Sequence, residues 1–226
     1  MSGRSALTAL VRTGRRVRRW PTEARLEARD RALFRSLSGR SDLRINVGSS
    51  SSTLDGWINV DIERDPEGRC VRLDATTAWP FPAASAEAVN SEHFIEHVSA
   101  DGARAYLSEA FRVLRPGGVI RTSTPDLSGI AEALGERDAR TLEIHRSHGY
   151  EAATHGELVN NYVYSFGHRR LYDEETLALL LREAGFVDPQ RRAYGESRHE
   201  VLRGIDRHDP EGLEKFVLCL DAAKPD

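Results

Sequence analysis

A loop of small residues between two apolar runs has the composition of a ligand-binding loop. Gly48 is followed by four serines, Ser49 to Ser52, and Asp61 stands at the end of the next apolar run. Small side chains let backbone N–H groups approach a ligand closely. A carboxylate at the tip of the following strand can accept hydrogen bonds from both hydroxyls of a ribose. This spacing predicts a site for a cofactor that carries a nucleoside.

The serines distinguish this loop from a glycine-rich one. Serine has a Cβ atom and resists positive φ, so we expect the loop to turn without the conformations that extra glycines would allow. Serine N–H groups and hydroxyls are expected to face the ligand. Only 13 residues separate Gly48 from Asp61, so a helix between the two strands must be short or absent.

A second group, His93, Glu96 and His97, has the spacing H-x-x-E-H. On a helical turn, spacings of three and four bring side chains to one face, and this pattern can bind a divalent metal. The alternative, contact with a cofactor combined with helix capping, is implied by the family resemblance given below.

Asp126 follows another predicted strand, at the sheet edge where α/β proteins place ligands. It could hold Mg²⁺ or orient a substrate hydroxyl. It could equally cap a helix predicted over residues 128–136.

Strand and helix patterns alternate along the chain. Strands are predicted at 43–47, 57–62, 71–74, 86–91, 119–124, 186–194 and 212–220. Helices are predicted from Thr22 to Gly39 and over 101–114, 128–136, 150–163 and 173–184. This alternation predicts a parallel sheet covered by helices. The last two strands have no helix between them, which predicts an antiparallel hairpin at the sheet edge.

Composition excludes several classes of protein. The 226 residues suit one globular domain, and no apolar run is long enough for a membrane helix. Two cysteines, Cys70 and Cys219, predict neither a disulfide framework nor a metal site, which indicates a reducing cytoplasm. The net charge is −3, but residues up to Arg44 hold twelve arginines against four acids, +8, which leaves −11 for the remainder.

Several segments, taken in order, resemble the class I S-adenosylmethionine-dependent methyltransferases. They are VGSSSS, WINVDI, Val71 to Asp74, PFPAASAEAVNSEHFIEHV, FRVLRPGGVIRTSTPDL and GHRRLYDEETLALLLREAGF. The resemblance covers residues 43–126 closely and extends to 168–221. Within the family, the chain is most similar to small methyltransferases linked to glycan or secondary metabolism. The resemblance implies a Rossmann-like, mostly parallel seven-stranded sheet with helices on both faces and an antiparallel last strand.

The resemblance also implies the contacts of S-adenosylmethionine. It places Gly48, Ser49 and Ser50 beside the methionine part, Asp61 at the ribose, and Asp74 with Ala75 at the adenine amino group. His93 is expected to line the same pocket. Considered without the resemblance, Asp61 and Asp74 could be turn residues at strand ends.

A histidine-rich segment, residues 127–170, is expected to cover the acceptor. Methyl transfer to an alcohol needs a base, and histidine has a suitable pKa. His168 is the first candidate for the base or an acceptor contact, followed by His155 and His145, with Asp126 nearby. Each histidine could instead have a surface or capping role.

These observations predict an enzyme that transfers a methyl group from S-adenosylmethionine to an oxygen of a small polar acceptor. A sugar or oligosaccharide hydroxyl is the leading candidate, as in polysaccharide biosynthesis, and Mg²⁺ bound at Asp126 is a second cofactor to test. Residues 1–40 are expected to form a basic arm and helix, and residues 41–226 the methyltransferase domain. A homo-oligomer is left open.

Two alternatives belong to other classes. The serine loop would suit a protein that keeps the fold but only binds or scaffolds. The basic arm would suit a nucleic-acid-modifying enzyme, although the acidic remainder argues against a nucleic-acid partner.

Overall fold

The computed structural model describes residues 23–63, 65, 68–208 and 211–226, and it contains a seven-stranded sheet. The strands are β1 (Leu43–Val47), β2 (Ile58–Asp61), β3 (Val71–Arg72), β4 (Ala86–Glu92), β5 (Leu114–Pro125), β6 (Val187–Arg192) and β7 (Val217–Ala223). The predicted basic arm, residues 1–21, lies outside the described residues, as does Thr22.

The strand order is β3-β2-β1-β4-β5-β7-β6. Strands β1 to β5 pair parallel with one another, whereas β7 pairs antiparallel with both β5 and β6. The predicted seven-stranded, mostly parallel sheet and its antiparallel hairpin at the edge are therefore confirmed. Strand β7 begins at Val217 rather than Gly212, because residues 214–216 form a 3₁₀ turn before it.

Within the described residues, six α-helices surround the sheet. They are α1 (Glu23–Ser36), α2 (Ala100–Val113), α3 (Leu127–Glu136), α4 (Ala139–Ser147), α5 (His155–Tyr164) and α6 (Glu174–Glu183). Side chains of Ser99, Asp138, Thr154 and Asp173 accept hydrogen bonds from the first turns of α2, α4, α5 and α6. The sequence did not predict α4, and α5 starts at His155 rather than at residue 150. None of the described helices is long and apolar enough to cross a membrane.

The main core lies on the sheet face that carries Ile45, Val60 and Ile120, and α1 packs against it. Leu37 is buried there, and Leu33 and Phe34 of α1 pack against it. Arg29 of α1 donates hydrogen bonds to the carbonyl oxygens of Gly68 and Cys70. Helix α1 therefore holds the chain just before β3.

Helices α3, α4 and α5 build a smaller core of their own. Ile130, Leu142 and Leu158 are buried in it, together with Leu213 and Phe216 from the segment before β7. These helices lie beside the carboxyl ends of β4 and β5, and Asp126 bridges to Tyr172 at that edge. Residues 127–170 are thus placed next to the edge where the predicted loop and H-x-x-E-H group also lie.

Candidate functional site

The loop after β1 turns through two left-handed residues, Gly48 and Ser50. Gly48 has φ 68°, and a Cβ atom there would lie 2.9 Å from the Cβ and Cδ2 atoms of Phe94. Ser50 has φ 42°. The expectation that the serines would avoid positive φ is therefore wrong at Ser50. A neighbouring carboxylate holds this conformation, because the Ser50 N–H donates to Oδ2 of Asp61 at 2.9 Å.

Most N–H groups of this loop already have protein partners. The carbonyl oxygen of Val60 accepts from the N–H groups of Gly48, at 2.9 Å, and Ser49, at 3.1 Å. The N–H of Ser52 donates to the carbonyl oxygen of Ser49 at 2.6 Å. The loop is thus tied to β2, and the expectation that its N–H groups generally face a ligand needs correction. The hydroxyl of Ser49 is also engaged, by Val60 and Cys70, which leaves the hydroxyls of Ser50 to Ser52 for that purpose.

Asp61 lines a small cavity of about 230 Å³. Its other walls are Ser50, Ser51, Glu63, Asp65, Arg69 and Cys70. The Oδ1 atom of Asp61 accepts from the N–H of Glu63 at 2.8 Å. Because each carboxylate oxygen can accept more than one hydrogen bond, Asp61 keeps capacity for ligand hydroxyls.

Asp74 and Ala75 lie outside both cavities. The Oδ1 atom of Asp74 accepts from the N–H and the hydroxyl of Thr76, at 2.9 and 2.6 Å. Ala75 is buried, and its carbonyl oxygen accepts from the indole N–H of Trp79. The turn role considered for Asp74 is present in the structure, and its contact with adenine stays a prediction.

A larger cavity of about 330 Å³ lies beyond the serine loop. It is lined by Gly48, Ser49, Ser50, Ser51, Ser52, Glu92, His93, His97, Pro125, His145, Tyr150, Leu158, Asn161, Tyr162, Phe166, His168, His208, Leu213, Phe216 and Val217. Ser50 and Ser51 line both cavities, so the two spaces adjoin across the loop. Five histidines converge on the larger one.

His93 and Glu96 form a hydrogen-bonded pair on the wall of this cavity. Nδ1 of His93 lies 2.9 Å from Oε1 of Glu96, whose side chain is fully buried. Burial alone would lower the pKa of His93, but the hydrogen bond and charge of Glu96 outweigh it and raise that pKa. Burial would raise the pKa of Glu96, yet the contact with His93 keeps it below its ordinary value. A carboxylate partner leaves Nε2 of His93 as the unprotonated nitrogen.

His97 and His168 meet edge to face beside Glu96. Their ring centroids are 4.9 Å apart, and Nδ1 of His168 lies 2.6 Å from the carbonyl oxygen of Tyr162. That contact requires a proton on Nδ1, so Nε2 of His168 is free to accept. The H-x-x-E-H group is therefore divided: His93 pairs with Glu96, while His97 faces His168.

His145 lines the cavity, but both of its ring nitrogens are engaged. Nδ1 lies 2.7 Å from the carbonyl oxygen of Thr141, and Nε2 lies 3.0 Å from the hydroxyl of Tyr162. Burial lowers the pKa of His145. His145 therefore positions Tyr162 and is not placed as the base.

His155 does not line the cavity. It is the first residue of α5, and its Nε2 lies 3.0 Å from the carbonyl oxygen of Asp138. The prediction of His155 as a base or acceptor contact is contradicted by this position, because the ring bridges α5 to the start of α4.

Asp126 caps α3, which was the alternative considered for it. Its Oδ1 accepts from the N–H of Ser128 at 2.9 Å, and its Oδ2 accepts from Arg191 at 2.6 Å. The residue is 1% exposed. Asp126 is held by the cap of α3 and the ion pair with Arg191, and among the described residues it belongs to no cluster of metal-ligating side chains, so it is not placed to hold Mg²⁺ or to orient a substrate.

Glu92 and His208 were not predicted as site residues. Glu92 accepts from the N–H groups of Arg207 and His208, and the rings of His93 and His208 lie 4.7 Å apart. His208 comes 116 residues after Glu92 in the chain. No local pattern in the sequence marks His208, because its place depends on how the segment before β7 packs against β4.

The comparisons with known proteins agree with this architecture. A family model described as a methyltransferase domain matches residues 53–122. A SAM-dependent methyltransferase from Archaeoglobus fulgidus is 19% identical, with a TM-score of 0.51 over 88% of this chain and 93% of that one. A possible histamine N-methyltransferase from Thermotoga maritima is 18% identical, with a TM-score of 0.51 over 88% of this chain and 89% of that one. No curated protein matches the chain.

The matched domain and the sheet confirm the resemblance to the class I methyltransferases. The chain has a methyltransferase domain, and its strands take the order and directions of that fold. The fold is the one found in S-adenosylmethionine-dependent methyltransferases.

Proposed function

We propose that the protein transfers a methyl group from S-adenosylmethionine to a hydroxyl of an uncharged polar acceptor, a sugar or oligosaccharide. One observation carries the proposal: the serine loop and His93, which is hydrogen-bonded to the buried Glu96, line the same cavity. A cofactor held by the loop and an acceptor held by the base would meet there.

The two adjoining cavities suit the two ends of the cofactor. The larger one would take the methionine end beside Gly48 and Ser49, and the smaller one the ribose end beside Asp61. Bound there, S-adenosylmethionine would supply an electrophilic methyl group on a positively charged sulfur. The donor set fits, because a carboxylate with spare acceptor capacity faces the place for the ribose hydroxyls.

His93 is the base in this proposal. Glu96 fixes the proton on Nδ1, so Nε2 can take the proton of an acceptor hydroxyl as that oxygen gains the methyl group. Glu96 stays ionised and stabilises the imidazolium that forms. His168 also lines the cavity, with its Nδ1 held by the carbonyl oxygen of Tyr162, and it serves as an acceptor contact through Nε2.

The walls favour an uncharged acceptor. Among the described residues that line the larger cavity there is no Lys or Arg, and the one carboxylate, Glu92, already accepts from two N–H groups. Tyr150 and Phe166 add aromatic surface on which the apolar face of a sugar ring can pack. Asn161 and the histidines supply hydrogen-bonding groups.

Titration calorimetry with S-adenosylmethionine tests the cofactor. We expect binding by the wild type and at least about tenfold weaker binding by Asp61→Ala, because hydrogen bonds to a charged group are worth about 1.5–3 kcal/mol each. Asp55→Ala is the matched control, since Asp55 is exposed and lines neither cavity. No binding by the wild type would contradict the proposal.

Transfer is tested with methyl-labelled S-adenosylmethionine and a panel of methyl glycosides. We expect label in at least one glycoside, and loss of that label in His93→Ala while cofactor affinity is kept. If the cofactor binds but no glycoside is labelled, the saccharide assignment is wrong.

A further inference from the structure

Two histidines on the cavity wall and a buried carboxylate next to them have the composition of a transition-metal site. Glu96, His97 and His168 each offer one ligand atom, and these atoms all lie within 4.8 Å of one another. Metal–ligand distances of about 2.0–2.2 Å bring neighbouring ligand atoms to about 3 Å apart, so small side-chain rotations would close the group on an ion. His97 and His168 both line the larger cavity.

Two of the three side chains, Glu96 and His168, are already oriented by outer contacts. Thr124 donates to Oε2 of Glu96 at 3.0 Å, and Nδ1 of His93 lies at Oε1. The Nδ1–H of His168 is held by the carbonyl oxygen of Tyr162, which directs Nε2 away from that carbonyl. Histidines that bind metals characteristically donate their other N–H in this way, and the outer contacts of a metal site fix its ligands.

His97 supplies the strongest argument against a purely structural cluster. It is half-buried on the cavity wall. Within the described part of the chain, neither of its ring nitrogens forms a hydrogen bond, and its ring contacts the ring of His168. The imidazole of His97 thus has a ring nitrogen available, and it lies next to the carboxylate of Glu96 and the imidazole of His168. The three groups are arranged to bind one cation.

We propose that Glu96, His97 and His168 bind one divalent transition-metal ion of the zinc or cobalt type. Two imidazole ligands favour such ions over Mg²⁺, which prefers oxygen ligands. Three protein ligands leave coordination positions open, as in catalytic rather than structural sites, and the open side faces the cavity. An acceptor oxygen could occupy that position. Metal binding itself does not depend on methyl transfer.

Cobalt absorption spectroscopy and calorimetry on the full chain without a polyhistidine tag test this site. We expect the wild type to bind one Co²⁺ with a visible d–d band, and excess Zn²⁺ to abolish the band. His97→Gln and His168→Ala should each weaken Co²⁺ binding by at least tenfold. Thermal unfolding of both variants shows whether they remain folded, and retention of binding in either folded variant contradicts the site.

Two histidine variants serve as controls. His155→Ala removes a histidine of the same segment that lies outside the cavity, and His208→Ala removes one on the cavity wall that is not a ligand in this proposal. Both should bind Co²⁺ as the wild type does. The proposal is overturned if the wild type binds no Co²⁺, or if His208→Ala abolishes binding while His97→Gln and His168→Ala retain it. Either result leaves the proposed methyl transfer standing, because S-adenosylmethionine binding is measured separately.

Discussion

Nδ1 of His93 lies 2.9 Å from Oε1 of Glu96, and the Glu96 side chain has no exposed surface. A buried carboxylate needs a partner, and His93 supplies one while remaining on the cavity wall. The same contact therefore satisfies the buried carboxylate and tunes the proposed base, because the charge of Glu96 also raises the pKa of His93.

Glu96→Gln should change how stability depends on pH. A raised folded-state pKa means that His93 stabilises the fold fully below its unfolded pKa of about 6.5 and loses this contribution as pH rises through the folded value. Glutamine removes the charge that raises the pKa. The difference in unfolding free energy between wild type and variant should therefore shrink from about pH 6 to pH 9, measured by urea denaturation. A constant difference would contradict the coupling.

The same substitution should move the pH profile of methyl transfer. A base must be unprotonated, so activity rises as pH passes the pKa of His93. In Glu96→Gln that rise should occur at lower pH and reach a lower plateau, because the developing imidazolium loses its counter-charge. A rise at unchanged pH would exclude His93 as the titrating base.

Gly48→Ala should destabilise the fold by about 2–4 kcal/mol for two reasons. Alanine is strained in the left-handed backbone conformation, and its Cβ atom would clash with a neighbouring side chain. The new Cβ atom would lie 2.9 Å from two Phe94 carbons. Gly39→Ala is the matched control: Gly39 has φ 79°, but no atom lies within 4 Å of its Cβ position, so about 1–2 kcal/mol is expected. Equal losses by chemical denaturation would show that the Phe94 contact contributes nothing.

Asp206→Ala should lower the free energy of unfolding by about 3–5 kcal/mol, because the buried guanidinium of Arg121 loses one of its two carboxylate partners. Arg121 is 0% exposed and donates to Asp206 at 2.7 and 2.9 Å, and to Asp221 at 2.9 Å. Glu136→Gln, which removes a surface pair with Lys215, should cost less than about 1 kcal/mol. Urea denaturation compares the two, and similar losses would contradict this role of the buried network.

Phe166→Gly should weaken acceptor use without changing cofactor affinity. Phe166 is 61% exposed, lines the cavity and contacts Tyr150 edge to face. Loss of one aromatic contact is worth roughly 0.5–1.5 kcal/mol, so KM for the glycoside should rise about 2–12-fold. Tyr164→Ala is the control, since Tyr164 is exposed but outside the cavity. Equal effects in both variants would contradict an acceptor role for Phe166.

Local patterns predicted the framework of this protein well. The apolar runs located seven strands, and the absence of a helix between the last two predicted their antiparallel pairing. Helix α6 begins after Asp173 and ends before Gly185, as expected from capping rules. These features follow from residues near one another in the chain, where hydrophobic periodicity and capping act.

The site residues were predicted less well. Asp126 and His155 looked like functional residues, but Asp126 caps α3 and His155 bridges two helices. Helix α4 was missed within a segment of weak periodicity, and His208 carries no local signal. In each case the decisive partner lies on another element.

The sequence by itself determined the strand-loop-strand around Gly48 and Asp61, the alternation of strands and helices, and the class of protein these imply. Only the tertiary structure decided which histidines share a cavity. It also decided that Ser50 takes a left-handed conformation in which its N–H donates to Asp61, and that Glu96 lies close to both His93 and His97. The physical reason is the separation along the chain of the residues that interact. Periodicity shows which face of an element is buried, whereas the convergence of side chains at a sheet edge depends on how α3 to α5 and the segment before β7 pack over it.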